Sequence, residues 1–130
     1  MAKFNDRRVL FIACEGLNGS LIKKALMNRD YQVDLISSSS ARDEAFAHHE
    51  ADYKFVVIHF RSYSSEDKFL KKFVSTMAEE LKACYGGIKV FGVDSGKKIK
   101  SVEYCDAVFC EEKGSPKKLV DCIEDILRKK

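Results

Sequence analysis

A short apolar run near the middle of the chain limits the fold to few classes: Lys54-Phe55-Val56-Val57-Ile58-His59-Phe60. The run is rich in β-branched and aromatic residues, is too short for a helix, and is followed at once by polar, turn-forming residues. It therefore predicts a strand buried on both faces, as strands are inside parallel sheets. In an open α/β sheet the carboxyl ends of the strands carry the site, and here that end offers His59, followed by Arg61 and Ser62.

Strands and helices are predicted to alternate along the rest of the chain. Four further segments have the apolar runs or the alternation of strands: residues 9–14, 31–36, 88–93 and 107–110. Helical spacing follows each strand, in residues 20–30, 41–50 after a run of four serines, 70–84, and 116–127 after Ser115 and Pro116. Residues 97–104 are only weakly periodic and are predicted to form a short or irregular helix. The order is a strand followed by a helix, repeated five times.

Five such units predict a doubly wound α/β fold. They cannot close a barrel of eight, and right-handed crossovers place helices on both faces of an open parallel sheet. We expect a three-layer sandwich with five parallel strands in the order 2-1-3-4-5, and a switch point between the first and third strands. Cys14, Glu15 and His59 should then face one another across that crevice, with Asp94 and Ser95 nearby.

Length and composition exclude several functional classes. A chain of 130 residues suits one domain, residues 1–130, and 45% apolar with 33% charged residues is typical of a globular protein. The 23 basic and 20 acidic residues are scattered, which argues against binding to nucleic acid. No signal peptide or membrane span is predicted, so we expect a cytoplasmic protein without membrane association. Five cysteines without a CxxC pair indicate reduced thiols rather than a metal site, and no metal or cofactor is expected.

Residues 112–119, Glu-Lys-Gly-Ser-Pro-Lys-Lys-Leu, resemble the stretch that joins the fifth strand to the last helix in receiver domains of bacterial response regulators. The resemblance covers residues 9–129 in length and segment spacing, and it implies the flavodoxin-like and receiver-like fold. In that family an acidic pair follows the first strand and a phosphate-accepting aspartate ends the third. A threonine or serine ends the fourth strand, and a lysine before a proline ends the fifth.

The residues that carry out phosphoryl transfer in this family are replaced by other residue types in this chain. His59 stands where the aspartate would be, and only Glu15 could help to hold Mg²⁺. Ser95 supplies a hydroxyl only in a shifted register, Glu112 falls on the lysine position, and Lys113 falls on the proline. Aspartyl phosphorylation needs a carboxylate nucleophile, a hard cation and a positive group near the phosphoryl oxygens. The resemblance therefore implies a degenerate pseudo-receiver that is not an enzyme.

A receiver-like chain without this chemistry is expected to act as a signalling module in a two-component-type or related pathway. Its partner would be a protein, such as another signalling protein or a kinase, and a homodimer stays open. Receivers use the face formed by strands four and five, so Phe91 and Tyr104 are contact candidates there. A core position for either aromatic residue stays open as well.

The alternative function is a small phosphocarrier or thiol enzyme that uses Cys14, with His59 as its base. Cys14 opens a loop that leads to a helix N-terminus, where a thiol pKa can be lowered. This loop is similar to the phosphocysteine loop of the sugar-transport phosphotransferase B subunits. The competing interpretations are a buried spectator thiol at Cys14 and, at His59, an imidazole that is hydrogen-bonded to a carboxylate such as Glu15 or Asp94.

Overall fold

The computed structural model describes residues 8–14, 17, 19–37, 53–110 and 116–128. Within them lie, in chain order, β1 (Arg8–Ala13), α1 (Ser20–Met27), β2 (Gln32–Ser37), β3 (Phe55–Phe60), α2 (Lys68–Cys84), β4 (Lys89–Asp94), β5 (Ala107–Cys110) and α3 (Pro116–Arg128). The helix predicted for residues 41–50 lies outside the described residues.

The five strands form one parallel sheet in the order β2-β1-β3-β4-β5, which confirms the predicted topology. The strand at its centre, β3, is buried at all six positions, because helices cover both of its faces. The edge strand β2 instead consists of exposed and half-buried residues. The apolar run at residues 54–60 therefore correctly indicated the central strand of the sheet.

Side chains of the sheet divide into two apolar cores, one on each face. On one face, Ile58 and Phe60 pack with Val74, Ala78 and other residues of α2. On the other, Phe55 packs with residues of α1 and α3. Successive strand residues point to opposite faces, so a single strand feeds both cores. The molecule is thus a three-layer sandwich with α2 on one side and α1 and α3 on the other.

Polar contacts hold α1 against α3. The guanidinium of Arg29, just beyond α1, forms ion pairs with Asp121 and Glu124 of α3. The Tyr31 hydroxyl donates to Glu124 at 2.9 Å. Hydrogen bonds from Tyr31 and Arg29 outweigh the effect of burial, which alone would raise the Glu124 pKa, and lower that pKa below its ordinary value.

Residues next to α2 determine where this helix begins and ends. At the start, the Asp67 carboxylate accepts the Leu70 N–H at 3.1 Å, which satisfies one of the amides that a helix leaves unpaired. At the end, Gly86 and Gly87 have positive φ angles of 65° and 79°, a region that favours glycine. These glycines end the helix where the sequence predicts it to end.

The predicted helix over residues 97–104 is wrong. This segment is irregular, and Lys97 and Tyr104 have positive φ angles of 62° and 71°. Ile99 and Val102 are nevertheless buried in the core beside α2. Their apolar spacing reflects contact with that core. The Asp94 carboxylate, which binds the Lys98 and Ile99 amides, directs the backbone away from a helix.

Candidate functional site at the carboxyl edge of the sheet

The carboxyl ends of β1, β3 and β4 meet at one edge of the sheet. Ala13 of β1 is the register partner of His59, and the Cys14 N–H donates to the His59 carbonyl at 2.9 Å. On the other side of β3, Phe60 is the partner of Asp94. The structure therefore brings together the backbones of three predicted site residues. Glu15, Glu112 and Lys113 lie outside the described residues.

His59 is part of the packed interior. Its side chain is 2% exposed, and its ring lies edge-on to Phe11 with 5.9 Å between the ring centroids. Phe11 belongs to the core beneath α1 and α3, and strand alternation places the His59 ring on that same side. An imidazole in this position contributes to the core and does not line an open crevice.

Cys14 packs on the other side of the sheet, against the core beneath α2. The expectation that Cys14 and His59 face one another across a crevice is therefore wrong. The reason is the period of a strand, which sends consecutive side chains to opposite faces even where the backbones are adjacent. This arrangement gives the Cys14 thiol no support from His59 as a base.

Asp94 is completely buried, and its carboxylate accepts five hydrogen bonds. Oδ1 accepts the N–H groups of Ser62 at 2.9 Å and Gly96 at 2.8 Å. Oδ2 accepts the N–H groups of Lys98 at 3.0 Å and Ile99 at 2.9 Å, together with the Ser62 hydroxyl. A buried charge is tolerated only when it is hydrogen-bonded in this way. The carboxylate is thus an anchor that joins the loops after β3 and β4.

Hydrogen bonding also decides the protonation state of Asp94. Burial alone would raise the pKa of this carboxyl, but the hydrogen bonds from Ser62, Ile99 and Gly96 outweigh it and lower the pKa below the ordinary value. Asp94 is therefore ionised at neutral pH, and its oxygens are already occupied by donors of the protein. It is poorly suited to bind a cation or to accept a phosphoryl group.

The loop after β4 is built around this anchor. Gly96 lies so close to the preceding loop that an added Cβ would be 1.9 Å from the Ser62 carbonyl oxygen, which only glycine avoids. Ser95 lies at the rim, where its hydroxyl accepts from Arg61 Nε at 3.3 Å. Nothing in the local sequence indicates that this loop pairs with Ser62, which lies 32 residues from Asp94.

The part of the chain that the structure describes contains neither a metal-binding cluster nor a membrane-spanning helix. No group of three His, Cys, Asp or Glu side chains there could hold a metal ion. Nor does any helix among these residues have the length and apolar character needed to cross a membrane.

The two predicted contact aromatics have different environments. Phe91 is completely buried, with its ring 5.7 Å from that of Phe55 and 6.0 Å from that of Phe109. Phe91 thus takes the core position that the sequence left open and is not a surface contact, because β4 is paired on both sides and its face is covered by the α1 and α3 layer. Tyr104 is 43% exposed, and its hydrogen bond to the Glu79 carboxylate raises the Tyr104 pKa.

Three other aromatic side chains are exposed in and just before α2. Tyr63 lies in the loop before α2 and is 79% exposed, and Phe69 in the first turn of α2 is 91% exposed. Phe73 has the helical spacing of the apolar residues of α2, which favours burial, yet it is 45% exposed. The position of Phe69 outside the stripe of buried α2 residues was the available signal.

Taken together, the sheet order and the three layers define a flavodoxin-like α/β protein in which the buried Asp94 carboxylate joins the loops after β3 and β4. Comparisons of the chain with models of known protein families, with curated proteins and with solved structures found no match.

Proposed function

We propose that this chain is a receiver-like signalling module that cannot be phosphorylated and acts by binding another protein. The parallel sheet with order 2-1-3-4-5 supports the receiver-like part of this proposal. The fold alone does not decide function, because the same architecture carries many activities. The residues at the carboxyl edge of the sheet therefore carry the argument.

One observation supports the loss of phosphoryl chemistry above all. The two polar side chains that β3 and β4 bring to the sheet edge, His59 and Asp94, are both buried and held within the fold. Phosphoryl transfer to a receiver needs an accessible carboxylate and oxygen ligands for a divalent cation. An imidazole packed on Phe11 and a carboxylate bonded to loop amides supply neither.

A module without this chemistry would work through contacts with a protein of a two-component-type or related pathway, in the cytoplasm. The partner would be a signalling protein or kinase, and a second copy of the chain is the other candidate. The competing function is a small phosphocarrier or thiol enzyme based on Cys14. That function would require an activated thiol, whereas Cys14 packs against apolar residues beneath α2.

Incubation with acetyl phosphate and Mg²⁺, followed by intact mass measurement, separates these functions. We expect no phosphoryl adduct, while an ordinary receiver treated in parallel should gain one. An adduct that disappears in His59→Gln or in Cys14→Ser would overturn the proposal and favour the phosphocarrier. An adduct on an aspartate would show instead that a receiver site had been preserved.

A further inference from the structure

The amino-terminal half of α2 exposes a group of side chains that has no role in the core. We define the α2 surface as Lys68, Phe69, Lys72 and Phe73, all of which are exposed. Residues three and four apart lie on the same side of a helix, so these four side chains form one continuous patch. The opposite side of α2 carries the buried residues Val74, Ala78 and Leu81. The α2 surface therefore points away from the sheet.

Its two phenylalanines are difficult to explain by stability. Phe69, which is 91% exposed, contributes almost nothing to the core, and Phe73 follows it one turn later. Exposed aromatic groups in contiguous patches are typical of surfaces that bind another molecule, and aromatic side chains are enriched in protein interfaces. Tyr63 adds a third exposed aromatic ring in the loop that leads to the helix.

The charges of this surface are positive. Lys68 and Lys72 flank the phenylalanines, and neither forms an ion pair among the described residues. Asp67 lies just before the helix, but its carboxylate caps the first turn. The exposed acidic residue of the helix, Glu79, comes nearly two turns after Phe73 and bonds to Tyr104. A ligand of this patch would therefore gain from carboxylates beside apolar side chains.

We propose that the α2 surface binds an acidic peptide segment of a partner protein, with aromatic or aliphatic side chains placed against Phe69 and Phe73. Carboxylates of the segment would pair with Lys68 and Lys72. This inference rests on the proposed function and names the class of its partner. A membrane surface is a weaker fit, because attraction to anionic lipids usually relies on clusters of about four to eight basic residues. The α2 surface has two.

A selection from displayed random peptides tests this proposal with the intact chain. Peptides retained by the wild-type protein are compared with those retained by Phe69→Ser. We expect the enriched peptides to combine aromatic or aliphatic residues with a net negative charge. Synthetic copies should lose at least about tenfold in affinity for Phe69→Ser, as is usual for a central aromatic contact. Lys72→Glu should weaken binding as well, and added salt should reduce it.

The chain offers a matched control in Leu21, an apolar residue of α1 that is 66% exposed on the other helical layer. Leu21→Ser should leave the affinity of the selected peptides unchanged. The thermal unfolding midpoints of Leu21→Ser and Phe69→Ser should match that of the wild type, because both side chains lie outside the core. A lower midpoint for Phe69→Ser would show that Phe69 stabilises the fold, which contradicts the proposal.

Four further outcomes would overturn the proposed docking site. They are the absence of enriched peptides, enrichment of neutral or basic peptides, equal loss of binding in Leu21→Ser, and a binding partner of another class. That class would be a membrane if vesicles containing phosphatidylserine retained the wild type but not Phe69→Ser. It would be a second copy if self-association depended on Phe69. A phosphoryl adduct would refute the proposed function, whereas failure of the selection alone would refute only this site.

Discussion

Asp94→Asn is the substitution that most directly perturbs the loops after β3 and β4. The amide keeps an oxygen for the Ser62 and Gly96 N–H groups, but its NH₂ group replaces the oxygen that accepts from Ile99. The Ile99 N–H is then buried without an acceptor, whereas Lys98 N–H still has the Ser62 hydroxyl at 3.2 Å.

The expected cost follows from these contacts. A buried N–H without an acceptor costs about 1–3 kcal/mol. The two hydrogen bonds that remain lose their charge assistance, at about 1 kcal/mol each. A neutral amide is easier to bury than a carboxylate, which offsets part of this loss. We therefore expect Asp94→Asn to lower the free energy of unfolding by about 2–4 kcal/mol.

Urea denaturation followed by circular dichroism measures this change. With a slope of about 2 kcal/mol/M, in the middle of the range for small proteins in urea, the midpoint should fall by about 1–2 M while the slope stays unchanged. Asp125→Asn is the control, because its exposed carboxylate pairs only with the exposed Arg128 among the described contacts, and it should shift stability by less than about 0.5 kcal/mol. If Asp94→Asn behaved like this control, the role assigned to Asp94 would be refuted.

The difference in unfolding free energy between the wild type and Asp94→Asn should depend on pH, and this dependence tests the direction of the Asp94 pKa shift. The pKa of Asp94 is lower in the folded protein than its ordinary value of 3.8. The stabilisation from its charge is therefore complete above about pH 5, near the upper end of titration of an unfolded aspartate. The advantage of the wild type over Asp94→Asn should stay constant from pH 7 to about 5 and decline below about 4. An advantage that increased on acidification would contradict the direction of the pKa shift.

Three further predictions concern the packing of the fold. Tyr31→Phe should cost about 0.5–1.5 kcal/mol in urea denaturation because Glu124 loses a donor, and an unchanged midpoint would contradict that contact. Gly96→Ala should destabilise by at least about 2 kcal/mol, since the new Cβ meets the Ser62 carbonyl; a Tm equal to that of the wild type would argue against this close approach. Burial raises the pKa of Cys105 to about 12, so iodoacetamide at pH 8 should modify Cys105 only after Cys122, the exposed cysteine of α3. Peptide mapping over time measures this order, and modification of both thiols at the same rate would contradict the burial of Cys105.

The fold was accessible from the sequence because strand burial leaves a local pattern. A run such as residues 55–58 is apolar throughout, since both of its faces are covered. The polar residues interspersed in β2 instead indicate an edge strand, and none of its residues is fully buried. Apolar spacing did not predict the structure of residues 97–104 correctly, because this segment is irregular and not helical. Ile99 and Val102 are buried by contact with the core beneath α2, and their spacing alone does not distinguish that contact from a helix.

The candidate site was accessible only in part. The common edge of the parallel strands predicts that Cys14, His59 and Asp94 come near one another in the backbone, and they do. Their side-chain environments depend on long-range contacts, such as the Ser62 donors of Asp94, that leave no local pattern. Phe73 shows the same limit, because it lies at the margin of a helical stripe where spacing does not separate buried from exposed positions.

We propose that the carboxyl edge of the sheet does not respond to phosphoryl donors. Amide NMR spectra of the labelled chain, recorded before and after addition of acetyl phosphate and Mg²⁺, test it directly. We expect the amide signals at the ends of β3 and β4, including Ser62 and Ile99, to keep their positions. Concerted shifts of these signals that require both acetyl phosphate and Mg²⁺ would contradict the claim.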